Sequence, residues 1–353
     1  MNAAAQPTVA FRADASAQLG TGHVMRCLAL AEEVAGQGGR PVLVGDVSGV
    51  PWLEGELRTQ GVEVVLPPAR PDALAGLLRA LEPRAVVMDA YHLPADDYTA
   101  AATVAPVVAF YDGETRDARG DVMVDQNIGA DLRPPDAVPS GAIPLRGPAY
   151  SVVRERVRSL RPAERPKALG GDAQSTPRVL LVLGGTDAQG ATRDVARVIL
   201  SHGAPIHLTA VTPDPDGIAD LPRGRHQQVE VLGPTPRLPE IMSSADLVVS
   251  AAGTTIAELS CLGVPAALIA VVDNQRPFYA GAVAAGCALG LGTLEEVLTN
   301  PSRATAEVWR LLESPAEREA LADTGWKLVD GLGRARILAS VAEMTNERTW
   351  SQP

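Results

Sequence analysis

The feature that constrains this chain most is a pattern that runs once and then starts again. A short apolar strand at 7–13 (PTVAFRA) leads into a glycine turn and an amphipathic helical stretch at 23–37. Strands follow at 41–47, 62–66, 85–89, 106–111 and 122–125, with helical segments at 52–60 and 72–81 between them. A stretch rich in proline, glycine and polar residues, 161–177 (RPAERPKALGGDAQSTP), then breaks the pattern and reads as a linker. The pattern restarts with a strand at 178–183, a second glycine turn and a helix at 192–201. Strands at 207–212, 228–232, 247–250 and 266–269 alternate with helices at 236–244 and 254–262, and helices at 315–329 and 333–343 close the chain. Short β-branched runs alternating with helices predict parallel sheets, whose strands need apolar side chains on both faces. The expected class is therefore α/β, with two Rossmann-like doubly wound domains, 1–160 and 178–353, facing each other across a cleft.

Composition narrows the function. The net charge is −11 and no block of Lys or Arg occurs, which argues against nucleic acid, whose binding rests on clustered cations neutralising phosphates. A nucleotide is still compatible, because helix N-termini and backbone N–H groups hold phosphate locally. Only two lysines occur, Lys167 and Lys327. The three cysteines, Cys27, Cys261 and Cys287, lack disulfide or zinc spacing and read as buried thiols of a cytoplasmic protein. No apolar run is long enough to span a membrane and the first residues lack a charged segment followed by an apolar run, so neither a membrane span nor a signal segment is expected.

Five constellations carry candidate chemistry. Gly20-Thr21-Gly22-His23 follows the first strand and opens a helix, so backbone can approach a ligand there and an imidazole stands at the mouth of the sheet. It is neither a P-loop nor a dinucleotide fingerprint, since no Gly-Lys-Ser/Thr follows and Arg26 fills a position that wants a small residue. Asp89-Ala90-Tyr91-His92 follows the 85–89 strand, where an acid can orient His23 or simply cap a helix; Asp112 has the same two readings. In the second half, Leu183-Gly184-Gly185-Thr186-Asp187 is a strand entering a glycine turn. Further on, Ser250-Ala251-Ala252-Gly253-Thr254-Thr255 starts a helix that carries Glu258, an arrangement suited to a diphosphate with the acid near a ribose. The polar cluster Asp273-Asn274-Gln275 at a strand end is a ligand contact or a turn. His202, His207 and His226 have no partners at metal spacing, and neither a metal nor a cofactor is expected.

Together these motifs resemble one family. The run Phe11-Arg12-Ala13-Asp14-Ala15-Ser16 through Gly20-Thr21-Gly22-His23-Val24-Met25-Arg26-Cys27-Leu28 is similar to the opening of the UDP-2,4-diacetamido-2,4,6-trideoxy-β-L-altropyranose hydrolases of pseudaminic acid biosynthesis and related spore-coat polysaccharide proteins. Asp89-Ala90-Tyr91, Arg146-Gly147-Pro148-Ala149-Tyr150, Gly184-Gly185-Thr186-Asp187, Ala252-Gly253-Thr254-Thr255 with Glu258, and Asp273-Asn274-Gln275 continue the likeness. The resemblance implies a GT-B-type fold, a sugar-side and catalytic N-terminal domain, and a nucleotide-binding C-terminal domain. By it, His23 is the general base that activates water at the anomeric carbon of a UDP-sugar, with Asp14 and Tyr91 as further catalytic residues. Arg12, Gly20, Gly22, Asp89, Gly185 and Thr186 are implied on the substrate. So are Leu232 and Gly233 at the base, Ala252, Gly253, Thr254, Thr255 and Glu258 at the diphosphate and ribose, and Asn274 and Gln275 near the sugar. The leading expectation is hydrolysis to UDP and free sugar. One alternative is a glycosyltransferase in which His23 deprotonates a hydroxyl of a small acceptor, and another is a non-catalytic nucleotide-sugar binding subunit.

Overall fold

The computed structural model describes residues 6–68, 70–134, 138–164 and 176–345. In the first part of the chain these form β1 (Thr8–Arg12), α1 (Gly22–Gly36), β2 (Arg40–Val44), α2 (Pro51–Thr59), β3 (Glu63–Val65), α3 (Pro71–Leu81), β4 (Pro83–Met88), α4 (Ala95–Ala102), β5 (Val107–Phe110), β6 (Val122–Asp125), β7 (Ile143–Arg146) and α5 (Glu155–Leu160). The pattern then restarts with β8 (Arg178–Val182), α6 (Thr192–Leu200), β9 (Ile206–Val211), β10 (Gln227–Leu232), α7 (Leu238–Ser243), β11 (Leu247–Ala251), α8 (Thr255–Leu262) and β12 (Ala266–Ala270). It continues through α9 (Arg276–Ala284), β13 (Leu289–Thr293), α10 (Leu294–Thr299), α11 (Pro301–Glu313) and α12 (Pro315–Leu328) to the last helix, α13 (Gly333–Thr345).

The first unit is a seven-stranded parallel sheet in the order β3-β2-β1-β4-β5-β6-β7. Successive residues of β1 serve opposite faces. Val9 and Phe11 pack among Cys27, Leu28 and Ala31 of α1 and Leu53 and Leu57 of α2, whereas Ala10 packs with Leu74 and Leu78 of α3 and Tyr98 and Ala101 of α4. Among the described residues no α-helix is inserted between β5 and β6 or between β6 and β7, the second connection carrying only a short 3-10 turn at Ala130–Leu132. That leaves Val87, Val108, Val122 and Val124 to be covered by another segment, and Ile337, Leu338, Val341 and Ala342 of α13 cover them.

The last helix thus belongs to the first unit, which takes in the chain to Glu155 and again from Gly331; the second runs from Arg156 to Asp330. This differs from the expected boundaries of 160 and 178, and from the expectation that 333–343 completes the second domain. Buried Arg334 at the start of α13 donates to Ala29 O at 3.1 Å and Glu32 at 2.9 Å, and pairs with Glu33 and Glu155. Within the second unit Arg156 pairs with Glu240 at 2.6 Å, and Arg161 donates to the carbonyls of Cys261, Trp326 and Val329. Most of the expected linker, 165–175, lies outside the described residues.

The second unit is a six-stranded parallel sheet in the order β10-β9-β8-β11-β12-β13. Strands β7 and β13 and the helices α4, α5, α9, α10 and α11 add to the expected elements. Both added strands carry weak signals: β7 is a four-residue edge strand with an internal proline, and β13 contains two glycines.

Candidate active site

In each sheet the strand order reverses between two neighbours, β1 and β4 in the first and β8 and β11 in the second. Loops leaving the C-terminal ends of such strands diverge and open a crevice, the usual ligand position in open α/β sheets. The sequence motifs fall at these two places.

In the first unit the loop after β1 closes on itself through Gly20 N–H to Ser16 O at 2.9 Å, with Gly20 at φ +77°. This left-handed turn, easily adopted by glycine, aims α1 so that His23 stands in its first turn over the end of β4. There Nδ1 of His23 lies 2.7 Å from Oδ1 of Asp89, the residue that follows β4. Arg26 Nη2 also lies 3.3 Å from Nδ1, but the contact to Asp89 is the shorter, and a buried carboxylate accepts and does not donate, so Nδ1 carries a hydrogen and in the neutral ring Nε2 keeps its lone pair. Among the described residues nothing bonds to Nε2, and the ring retains 17% side-chain exposure. Tyr91 meets it edge-on, with ring centroids 4.5 Å apart.

Behind this pair lies a chain of buried charge. Arg26, three residues after His23 and hence on the same side of α1, donates Nε to Asp89 Oδ2 at 2.6 Å and Nη2 to Oδ1 at 2.5 Å. Its Nη1 reaches Asp112 Oδ1 at 3.0 Å, and Phe110 lies 4.7 Å beneath the guanidinium. Burial is the largest influence and pushes the Asp89 and Asp112 carboxyls up, but the Arg26 charge, its hydrogen bonds and His23 together more than offset it and hold both below the usual carboxylate range, Asp112 well below. Asp112 also accepts from Asn127 Nδ2 at 3.0 Å and from the Tyr91 hydroxyl at 2.5 Å. Burial and then the Asp112 charge push the Tyr91 phenol far above its ordinary value. Tyr91 is therefore a neutral donor that packs on His23, and it is not itself a base.

Asp14 and Arg12 sit beside this chain without joining it. Asp14 Oδ2 takes Arg12 at 2.7 Å and His92 Nε2 at 2.8 Å, while Oδ1 accepts the Asp46 N–H at 2.8 Å. Burial raises the Asp14 carboxyl, but the His92, Asp46 and Arg12 contacts more than offset it and hold it at about 2. The residue that orients His23 is Asp89, and Asp14 orients His92 instead. Arg26 and His92 were not singled out for a role in the sequence. The i,i+3 spacing of His23 and Arg26 was the signal available for the first, once two strand-end acids were in view.

In the second unit the loop Gly184-Gly185-Thr186-Asp187 leaves β8 and the run Ala252-Gly253-Thr254-Thr255 leaves the adjacent β11. Asp187 adopts φ +42°, and its carboxylate accepts from Ala191 N at 3.0 Å and Thr192 N at 3.1 Å, capping α6 and bracing the glycine turn. Helix α8 starts with Thr254 as its N-cap and no side-chain cap, and the N–H groups of Thr254 and Thr255 meet no acceptor among the described residues. Glu258 lies one turn in, half-buried. From the end of β12 Gln275 folds back, accepting the Val271 N–H at 3.0 Å, with its amide nitrogen beside Gly253. Asn274 is exposed. Leu232 ends β10 at the sheet edge, where its carbonyl accepts the Thr212 N–H at 3.0 Å, and Gly233 follows it.

All three cysteines are buried and unpaired. Among the described residues no group of three His, Cys, Asp or Glu side chains is arranged to hold a metal, and no helix is long and apolar enough to cross a membrane.

Residues 179–286 match the profile of the glycosyltransferase family 28 C-terminal domain. The uncharacterized protein MJ1062 of Methanocaldococcus jannaschii is 20% identical over 281 residues, 77% of this chain and 57% of that protein. The chain therefore aligns with little more than half the length of this relative. Among solved structures, MurG of Acinetobacter baumannii is similar with a TM-score of 0.68 and 15% identity over 96% of this chain and 100% of that one. The spinosyn rhamnosyltransferase SpnG, complexed with thymidine diphosphate, is similar with a TM-score of 0.62 and 15% identity over 94% and 99%. The fold is of the GT-B type.

Proposed function

We propose that this chain is a nucleotide-sugar enzyme that transfers the sugar to an acceptor hydroxyl, with His23 as the general base. The observation that carries this reading is the His23–Asp89 pair at the strand-order reversal of the first sheet. An imidazole held in its Nδ1–H form by a buried carboxylate, with Nε2 open, is built to accept a proton from an oxygen nucleophile. As the acceptor oxygen forms its bond to the anomeric carbon, its proton passes to Nε2, and the bond from that carbon to the diphosphate oxygen breaks. The nucleoside diphosphate leaves with the electron pair.

The nucleotide falls to the second unit in this reading. The residues the sequence suggests for the diphosphate and ribose, Ala252–Thr255 and Glu258, lie within the stretch that matches the glycosyltransferase profile, as do Gly185 and Thr186. Open N–H groups and hydroxyls at the start of α8 suit a departing diphosphate, whose growing charge they stabilise without reorganising. Uridine as the nucleoside rests on the sequence resemblance, and a diphosphate is supported by the thymidine diphosphate complex of SpnG.

Hydrolysis is the second reading, favoured by the likeness of residues 11–28 to the UDP-sugar hydrolases. The same base then activates water. The test is turnover of UDP- and dTDP-linked amino sugars with and without hydroxyl acceptors, followed by release of nucleoside diphosphate and NMR of the sugar. Release that requires an acceptor supports transfer, whereas release with free sugar in its absence supports hydrolysis. A His23→Gln protein that turns over like the unaltered chain sinks both, and a ligand-induced rise in Tm without turnover points to the binding subunit.

A further inference from the structure

Arg26 takes no part in the steps above, yet its side chain is only 2% exposed and its guanidinium is committed on both sides. Burying a cation costs several kcal/mol unless it is paired, and one carboxylate would suffice to neutralise it. Here there are two. Asp89 takes Nε and Nη2 as a fork on both of its oxygens, and Asp112 takes Nη1 at 3.0 Å with a longer contact to Nη2 at 3.3 Å. Asp112 is tied in turn by Asn127 and Tyr91. The result is a clamp in which the guanidinium cannot rotate without losing bonds at both ends. The carboxylate oxygen it grips, Asp89 Oδ1, is the one that meets His23 Nδ1.

We propose that Arg26 is a positioning residue for His23: anchored by Asp112, it fixes the Asp89 carboxylate so that the imidazole is held in its Nδ1–H form with Nε2 open. This rests on the reading of His23 as base for its consequence in catalysis, but the tautomer itself is measurable without turnover. A point charge in place of the fork cannot hold both carboxylate oxygens, so Lys is not an equivalent residue here.

The experiment uses full-length protein labelled with 15N-histidine, along a rising pH series followed until the ring signals no longer move, so that the neutral forms are read. Long-range 1H–15N correlation reads the tautomer of each of the five rings, and His23→Gln assigns the signal of His23. The unaltered protein is expected to show His23 as a single Nδ1–H species. Arg26→Gln and Arg26→Lys are expected to lose that single species while the signals of His202, His207 and His226 stay in place. Because removing a buried cation alone can unfold the unit, the pair Arg26→Met with Asp112→Asn serves as the second variant; it removes one charge of each sign and leaves Asp89 and His23 intact. With a turned-over substrate in hand, kcat is expected to fall roughly 10- to 100-fold in these variants with KM changed less than about twofold, and Arg26→Lys to lie between. A merely structural role leaves the tautomer unchanged in every folded variant, and that result overturns the proposal. If the tautomer scatters as expected but His23→Gln retains turnover, the positioning role stands and the base reading falls.

Discussion

His23, Arg26, Asp89 and Asp112 come from one helix and two strand ends, and each is worth little without the others. His23→Gln is expected to lower kcat by about 10² to 10⁴ once a substrate is found, the usual contribution of a general base. Asp89→Asn leaves an amide that can offer its own N–H to Nδ1, which would stabilise the opposite tautomer and place a hydrogen on Nε2. Its kcat should fall nearly as far as in His23→Gln, with KM little changed, as steady-state kinetics on both proteins will show. Asp14→Asn is expected to behave differently. Asp14 holds Arg12, His92 and the Asp46 N–H rather than His23, so the loss is one of stability, about 1 to 3 kcal/mol in urea unfolding. His23 and Asp89 were legible in the sequence as a helix-start imidazole and a strand-end carboxylate. Their pairing was not distinguishable from that of His23 with Asp14, because both acids follow neighbouring strands and only the direction of α1 selects between them.

At the scale of elements, two joints carry their units. Asp187 caps α6 with both carboxylate oxygens while holding a left-handed backbone. Asp187→Ala removes the cap and suits that backbone poorly, and should cost about 1 to 2 kcal/mol, whereas Asp187→Asn keeps an acceptor and tolerates the conformation. Comparing the urea midpoints of the two variants checks this. The second joint is α13, whose Ile337, Leu338 and Val341 contribute roughly 5 to 9 kcal/mol by burial, before the cost of ordering the helix. A Cβ on Gly333 would lie 2.2 Å from the Ser151 carbonyl oxygen, so Gly333→Ala must push α13 off its seat. Amide hydrogen exchange should show faster exchange in β4 to β6 for that variant, with β8, β11 and β12 unchanged. The periodicity of α13 was readable in the sequence, but not which sheet it covers. That depended on the lack of an α-helix, among the described residues, after β5 and after β6, which left a face of the first sheet for α13 to cover.

Across the whole molecule, acid should act unevenly. Asp14 titrates at about 2 in the folded chain against an ordinary 3.8, and Asp89 and Asp112 are lowered as well. A carboxyl lowered on folding contributes stability that is complete above its unfolded value and is lost as pH falls through the folded one, since the unfolded chain then binds more protons. For Asp14 the amount is on the order of 2 kcal/mol, lost between about pH 4 and pH 2. All three belong to the first unit. Hydrogen exchange along a pH series is expected to show β1 and β4 losing protection below about pH 4 before β8 and β11 do. Equal loss in both sheets would contradict this.

Local patterning by itself determined the architecture: runs of Val and Leu between amphipathic helices allow little but a covered parallel sheet, and two such series with a glycine turn after each first strand give two doubly wound units. Those signals survive in sequence because periodicity and turn chemistry act over a few residues. The contacts that pair His23 and Arg26 with their acids and seat Arg334 on the first unit span 63 to 305 residues, as Arg26 with Asp89 and Arg334 with Ala29 do. Such pairs leave no local periodicity, since strand order and helix direction bring them together. Only the tertiary structure decided which carboxylate serves His23, that Arg26 is gripped from both sides, and that the last helix returns to the first sheet.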